Sequence, residues 1–132
     1  MKSLLTMVRI FSRDENYIVN VDFLKSKIYD FAFIRGKFTS KRKNRIAEKI
    51  IRRRDNLHDL VLDLTQVEEA DSSCPAAILR ILKSVKDSGK ELYVCGAKTT
   101  VKDHCHLSGL DDFVKAYDSL YEFIYDKKVY TL

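Results

Sequence analysis

Short apolar runs separated by polar turns divide this chain into segments with the spacing of strands and helices. Residues 17–23 and 28–34 are rich in Val, Ile, Phe and Tyr, and the Lys-Ser-Lys sequence at 25–27 separates them. Two β-forming runs joined by a short polar turn predict a β-hairpin, which we expect Gly36 to end. Residues 1–16 are ambiguous, because they either add a leading strand or project as an arm.

The next apolar positions have the spacing of a helix. One narrow apolar stripe, at positions i, i+1, i+4 and i+5, is formed by Ile46, Ala47, Ile50 and Ile51. We expect Thr39 or Ser40 to cap the start of this helix, since both carry a hydroxyl that accepts a backbone N–H. Residues 54–56, Arg-Asp-Asn, end it.

A strand, a loop and a helix follow one another within residues 59–82, and the rest of the chain is organised around them. Residues 60–64 predict a buried strand, and an acidic loop is expected at Glu68, Glu69 and Asp71. The helix begins at Ser72-Ser73, where a serine can serve as N-cap and Pro75 loses nothing by lacking an N–H. Its broad apolar face is formed by Ala76, Ala77, Ile78, Leu79, Ile81, Leu82 and Val85. Gly89 supplies the left-handed residue after the helix.

The remainder alternates strands with helices. Residues 91–96 predict a central strand, and residues 111–117 hold a last short one. Between them, Thr99 or Thr100 caps a short helix that runs through His106. The capping box Ser119-x-x-Glu122 opens a final helix whose buried side carries Leu120, Phe123 and Ile124. The order β-β-α-β-α-β-α-β-α predicts an α/β fold with a mixed, mostly parallel sheet and about four helices.

Length and composition are those of a single globular domain over residues 1–132. The hydrophobic fraction of 45% and the aromatic fraction of 11% exclude a disordered chain. Charged residues interrupt every apolar run before it could cross a bilayer. The first residues have too short an apolar patch and no small-residue cleavage site for a signal peptide. We therefore expect a cytoplasmic protein.

Cysteine and histidine usage indicates neither disulfides nor a metal site. The three cysteines, Cys74, Cys95 and Cys105, are odd in number and widely spaced, which favours free thiols. A zinc site at His104, Cys105 and His106 is a weak alternative, because adjacent helical residues point in different directions and no CxxC or HxxxH spacing is present.

The net charge of +5 is unevenly distributed. Residues 35–54 contain ten basic residues and one acidic residue, Glu48, so this segment alone carries +9. The predicted helix within it displays a basic patch formed by Lys41, Arg42, Lys43, Arg45, Lys49, Arg52 and Arg53. Such a helix is either a solvated surface or a docking site for an acidic partner, an anionic lipid or a phosphate-rich polymer.

Catalysis finds little support in the sequence. A nucleophilic Ser72 would need a base and an elbow motif such as Gly-x-Ser-x-Gly, and the sequence around it provides neither. The carboxylates at Glu68, Glu69 and Asp71 lie in one loop, whereas paired catalytic carboxylates flank a cleft. The four glycines are isolated, so no phosphate-binding loop is present. We expect no enzyme activity, no cofactor and no small-molecule substrate.

Several ordered motifs resemble the STAS domain, the sulphate transporter and anti-sigma factor antagonist family. The run LVLDLTQVEEADSS at 60–73 is similar to the family's strand, loop and Asp-Ser-Ser-Gly helix start. The strand at 89–96, the short helix ending in Leu-Ser-Gly-Leu at 107–110, and the helix around 117–122 follow in the family's order. Arg35-Gly36-Lys37-Phe38-Thr39 aligns with its Gly-Glu-Leu-Asp. The resemblance covers roughly residues 17 to 127 and implies the STAS fold with an N-terminal hairpin.

The resemblance also implies a function. In anti-sigma factor antagonists of this family, the serine after the Asp is phosphorylated by a serine-kinase anti-sigma factor. This role transfers to Ser72, with Ser73 as the second candidate and Asp71 as its neighbour. The resemblance implies a bacterial signalling protein that regulates transcription, whose partner-binding residues are Asp71, Ser72, Ser73, Cys74, Thr39 and Lys37.

Three positions depart from the family pattern. Cys74 replaces a Gly, and its side chain is expected to crowd a partner's approach. Thr39 replaces an Asp, and Lys37 reverses the charge of a Glu. Two alternatives follow: a STAS subunit of a larger complex, such as a lipid-transport ATPase or signalling assembly without phosphorylation, or a module that binds nucleic acid or an anionic membrane through the basic helix.

Overall fold

A computed structural model describes residues 19–39 and 43–129 of the chain. Its strands are β1 (Val19–Lys25), β2 (Tyr29–Phe38), β3 (Asp59–Ala70), β4 (Leu92–Cys95) and β5 (Lys115–Tyr117). Its helices are α1 (Lys43–Arg53), α2 (Cys74–Asp87), α3 (Thr99–Leu107) and α4 (Leu120–Lys127), with a 3-10 turn at Leu110–Asp112. The proposed extra strand or arm at 1–16, the Ser40 cap, Lys41 and Arg42 lie outside the described residues.

The five strands form one mixed sheet in the order β1-β2-β3-β4-β5. β1 and β2 pair antiparallel, with Phe23 opposite Ala32, and every other neighbouring pair is parallel. This confirms the predicted α/β fold with a hairpin followed by parallel strands. Residues 92–95, within the segment predicted as a central strand, form β4, which lies inside the sheet between β3 and β5.

Alternating side chains along the strands supply two cores, one on each face of the sheet. Ile34, Leu62 and Val94 point to the face covered by α1, α2 and α3. Phe31, Val61 and Tyr93 point to the opposite face, which α4 covers. A sheet buried on both faces in this way needs apolar residues at nearly every strand position, as β3 shows between Leu60 and Leu64.

Two strands extend further than the sequence indicates. β2 continues through Gly36 to Phe38, and β3 continues through Glu68 and Glu69 to Ala70. Register shifts on both sides of Gly36, which has a φ of 92°, let the two strands keep pairing. A glycine in this conformation accommodates an irregular ladder, so it bends the strand instead of ending it.

Helix termini confirm part of the predicted capping. The Ser119 hydroxyl accepts a hydrogen bond from the Glu122 N–H at 3.2 Å, as the capping box predicts. Gly89 follows α2 in the left-handed conformation, also as predicted. The prediction that Thr99 or Thr100 caps α3 is wrong, because Lys98 occupies the N-cap position of this helix.

Among the described residues, no helix is long and apolar enough to span a bilayer.

Candidate functional site

The predicted site is the tight turn that carries the chain from β3 into α2. The Asp71 carboxylate accepts hydrogen bonds from the Ser73 N–H, at 3.0 Å, and from the Ser73 hydroxyl. The Cys74 N–H donates to the Asp71 carbonyl at 3.1 Å. An aspartate that bonds the backbone two residues ahead stabilises a turn locally. Asp71 therefore fixes the path of the chain past Ser72.

The two serines of this turn have different environments. Ser72 is exposed, whereas Ser73 is half-buried with its hydroxyl held by Asp71. Ser73 is the N-cap residue of α2, but its side chain makes no capping hydrogen bond. Of the two candidate hydroxyls, Ser72 is thus the one presented to solvent, beside the amino end of a 14-residue helix.

Cys74 does not crowd this surface. Its side chain is fully buried in the core between the sheet and the helices. Burial raises the pKa of the thiol to about 12, so it stays protonated and unreactive at neutral pH. The expectation that Cys74 contacts a partner through its side chain fails for the same reason. Ser72, Ser73 and Asp71 remain as the accessible part of the turn.

Lys37 and Thr39 lie beside the turn because β2 and β3 end together. Lys37 pairs with Glu69 in the parallel ladder, and Phe38 pairs with Ala70. The Lys37 Nζ lies 3.8 Å from the Glu69 Oε2, and both side chains are more than half exposed. A pair this exposed is weak, so the Lys37 ammonium is available to other anions. Thr39 follows directly and is half-buried.

The sequence did not indicate Lys98 as a neighbour of this edge. Its Nζ donates a 2.7 Å hydrogen bond to the Val67 carbonyl, from the position before α3. The contact joins residues 31 positions apart, and no local pattern predicts it. With Glu68 and Glu69 exposed on β3, the edge carries both acidic and basic groups.

β3 also holds a buried carboxylate that sequence analysis did not single out. Asp63 is 6% exposed and its Oδ1 accepts bonds from the Thr65 hydroxyl, at 2.6 Å, and the Thr65 N–H, at 3.0 Å. Burial raises the pKa of Asp63, although the Thr65 bonds partly oppose the shift. The ionised carboxylate is therefore held at a cost to stability at neutral pH.

We expect Asp63→Asn to stabilise the fold at pH 7, because the amide oxygen can accept both Thr65 bonds without a buried charge. The raised pKa means that the folded state holds this proton to higher pH than the unfolded chain. Wild-type stability thus falls as pH rises from the unfolded pKa through the folded one. The gain should be larger at pH 7, where the buried carboxylate is ionised, than at pH 4. Urea unfolding of both proteins between pH 4 and pH 7 would measure it, and a difference independent of pH would contradict it.

The described residues offer no support for the zinc site considered at His104, Cys105 and His106. In the described part of the chain, no three His, Cys, Asp or Glu side chains are grouped to hold a metal ion. The His106 Nδ1 instead lies 2.8 Å from the Asp111 Oδ2, which raises the pKa of His106. Cys105 is half-buried against the core, and all three cysteines are free thiols, as predicted.

The basic patch lies on α1. Arg45, Lys49, Arg52 and Arg53 are exposed there. Lys43 is the first residue of the helix, and Lys41 and Arg42 precede the described segment. The sequence prediction of a narrow apolar stripe also holds, since Ile46, Ala47 and Ile50 are buried.

Comparisons with known proteins agree with this architecture. The family model of the STAS domain matches residues 17–123. No curated protein is similar enough to count as a match. A candidate anti-sigma factor antagonist from Thermotoga maritima is 21% identical, with a TM-score of 0.70 over 83% of this chain and 93% of that one.

Two further solved structures represent different members of the fold. The Bacillus cell fate determinant SpoIIAA in its phosphorylated form is 12% identical, with a TM-score of 0.62 over 82% of this chain and 99% of that one. A sulfate transporter family protein from Wolinella succinogenes is 14% identical, with a TM-score of 0.66 over 80% and 88%. The chain thus resembles both anti-sigma factor antagonists and transporter domains in fold. By its match over most of its length, it belongs to the STAS domain family.

Proposed function

We propose that this chain is a regulator of the anti-sigma factor antagonist type. It binds a serine-kinase anti-sigma factor through the β3–α2 turn and is released when Ser72 is phosphorylated. The observation that carries the proposal is the exposed Ser72 beside a helix amino end, in a turn that hydrogen bonds between Asp71 and Ser73 stabilise. A kinase needs an accessible hydroxyl on a defined backbone, and this turn offers one.

Local electrostatics supports a switch that needs no refolding. A phosphate adds about two negative charges at neutral pH. The dipole of α2 favours an anion at its amino end. The first N–H groups are already engaged, because Cys74 donates to the Asp71 carbonyl and Ala76 to the Ser73 carbonyl, and Pro75 has none. A partner fitted to the neutral hydroxyl would instead meet the new charge next to Asp71, Glu68 and Glu69. Phosphorylation therefore weakens binding while leaving the fold intact.

The proposed role is binding without catalysis. A nucleophilic serine requires a neighbouring base. His58 lies before the first residue of the 12-residue β3, at the end opposite Ser72, and it pairs with Asp30 at 2.8 Å. On α3, His106 lies 2.8 Å from Asp111, and His104 is half-buried with no contact to Ser72 among the described hydrogen bonds. We infer that the chemistry belongs to the partner kinase and that the domain acts in the cytoplasm, where such partners work.

We expect phosphorylation to depend on Ser72 alone. The purified chain is incubated with ATP and each serine-kinase anti-sigma factor of its source genome, and phosphate incorporation is followed by intact mass. One phosphate should be added to wild type and to Ser73→Ala, and none to Ser72→Ala. Ser73→Ala is the matched control, because it removes the neighbouring hydroxyl and leaves Ser72 in place. Phosphate transfer to Ser72→Ala would contradict the assignment.

Binding separates this proposal from a second one. We expect Ser72→Asp to bind the kinase at least about tenfold more weakly than wild type, since like charge at a contact costs binding energy. The fold likeness to a sulfate transporter family protein favours a second candidate, a STAS subunit of a larger assembly without phosphorylation. A partner bound equally well by wild type and Ser72→Asp, with no kinase modifying the chain, would replace the first proposal by the second.

A further inference from the structure

The outward sides of α1 and α2 form one basic surface. Both helices pack on the same face of the sheet, α1 through Ile50 and α2 through Ile81. The buried Arg54 guanidinium ties their ends together, donating to Asn56 at 2.9 Å and to Ser88 at 2.8 Å. The exposed cations of the two helices are Arg45, Lys49, Arg52, Arg53, Arg80, Lys83 and Lys86, against the exposed acids Glu48 and Asp87. Of these cations, Lys86 pairs with Glu91 at 2.7 Å and Arg53 lies over the Phe23 ring. We call this surface the basic face.

The cations of α1 repel one another in part. Arg45, Lys49 and Arg52 follow one another at i, i+4 and i+7 on the solvent side, and like charges at this spacing destabilise a helix, although Glu48 lies three residues after Arg45 and four before Arg52 and offsets part of the repulsion. The first turn of α1 contains no acidic residue to complement the helix dipole. Among the ion pairs between described residues, none involves these three cations. An external anion would offset this repulsion.

We propose that the basic face docks on the surface of an anionic lipid bilayer. The apolar stripe of α1 is buried against the sheet, so the helix does not insert as an amphipathic anchor. The contact is instead electrostatic, between the cations and the lipid headgroups. On α2 the sequence pattern assigned Leu79 to the buried side, yet Leu79 is 53% exposed within the basic face. It is the apolar side chain that reaches the headgroup layer.

The breadth of the basic face favours a bilayer over duplex nucleic acid. The major groove is about 12 Å wide and admits a single helix. Two packed helices have axes about 8–10 Å apart, so their combined surface is too wide to enter it. The described exposed residues of the basic face also include no aromatic ring on which an unpaired base could stack. A flat lipid surface accommodates both helices at once.

A specific protein partner fits this face less well. Such interfaces have a desolvated centre rich in aromatic and apolar residues, with charges at the rim. Most of the described exposed residues of the basic face are charged, and Leu79 is the large apolar residue among them. The inference is independent of Ser72, because the docking residues lie on the outer sides of the helices.

The test is co-sedimentation of the full chain with vesicles of equal parts phosphatidylserine and phosphatidylcholine. We expect binding that weakens steeply as salt rises from about 0.1 M to about 1 M, where the Debye length falls from roughly 10 Å to 3 Å. Each cation near an anionic bilayer contributes roughly fivefold to the binding constant. The triple variant Arg45→Gln/Lys49→Gln/Arg52→Gln should therefore bind about a hundredfold more weakly.

A matched control carries the same loss of net charge elsewhere. Lys102, Lys115 and Lys128 are exposed on α3, β5 and the end of α4, and the triple Gln variant at these positions should bind within about threefold of wild type. Thermal unfolding of both triple variants serves as the check that they are folded. Equal losses in the two variants, or no vesicle binding by wild type at low salt, would overturn the proposal. So would salt-sensitive binding to a DNA duplex without any binding to vesicles.

Discussion

Replacing Phe123 by alanine should remove about 3–5 kcal/mol from the free energy of unfolding, since truncating a buried aromatic loses its burial and leaves a cavity. Phe123 lies on α4, the helix that covers one face of the sheet, and its side chain is fully buried against that face. Its ring centre lies 5.2 Å from that of Tyr29, 5.0 Å from Tyr93 and 5.4 Å from Tyr117. Urea denaturation at pH 7 would measure the loss.

Tyr125 provides the control on the same helix. It is an aromatic residue of α4 but is 77% exposed. Tyr125→Ala should change stability by no more than about 0.5 kcal/mol, as surface substitutions usually do. A similar loss in both variants would mean that helix propensity, rather than the buried aromatic cluster, holds α4 on the sheet. The comparison thus isolates the packing of Phe123 from the formation of the helix itself.

The features predicted correctly are those with a local cause. Ser119 and Glu122 stand three residues apart and make the cap that their spacing indicates. Pro75 and the apolar residues after it placed the start of α2 to within a residue or two. The short turn at Ser72 does not belong to this group, because the sequence indicated an acidic loop at Glu68, Glu69 and Asp71, whereas β3 continues to Ala70.

The features that sequence analysis missed depend on residues far apart in the chain. Gly36 looks like a strand end until β3 is seen to pair with it on one side and β1 on the other. Cys74 appears to stand on the partner surface, yet the helix turns its side chain into the core. The Asp63 carboxylate is buried because its strand lies inside the sheet, with Phe33 of β2 on one side and Cys95 of β4 on the other. No local pattern contains this information.

Gly96 shows how tightly such a distant contact can constrain one residue. It follows β4 with a φ of 69°, and a Cβ built there would lie 2.1 Å from the Thr65 Oγ1 and 3.2 Å from the Thr65 Cα. Gly96→Ala therefore has two costs. The left-handed backbone is unfavourable for alanine by about 1 kcal/mol, and the Thr65 hydroxyl must leave Asp63, so the buried carboxylate loses a bond. We expect a total loss of about 2–4 kcal/mol in urea unfolding.

Two further variants separate these costs. Gly89 has a φ of 74° and no atom within 4 Å of a built Cβ, so Gly89→Ala should lose only about 1 kcal/mol from the backbone term. In a Thr65→Ala background the Oγ1 is absent, and the penalty of Gly96→Ala should fall toward that of Gly89→Ala. A coupling energy of at least about 1 kcal/mol in this double-mutant cycle is the expected result. Additive effects would show that the Thr65 side chain moves aside without a cost in stability. Glycine would then be required at position 96 only for its backbone conformation.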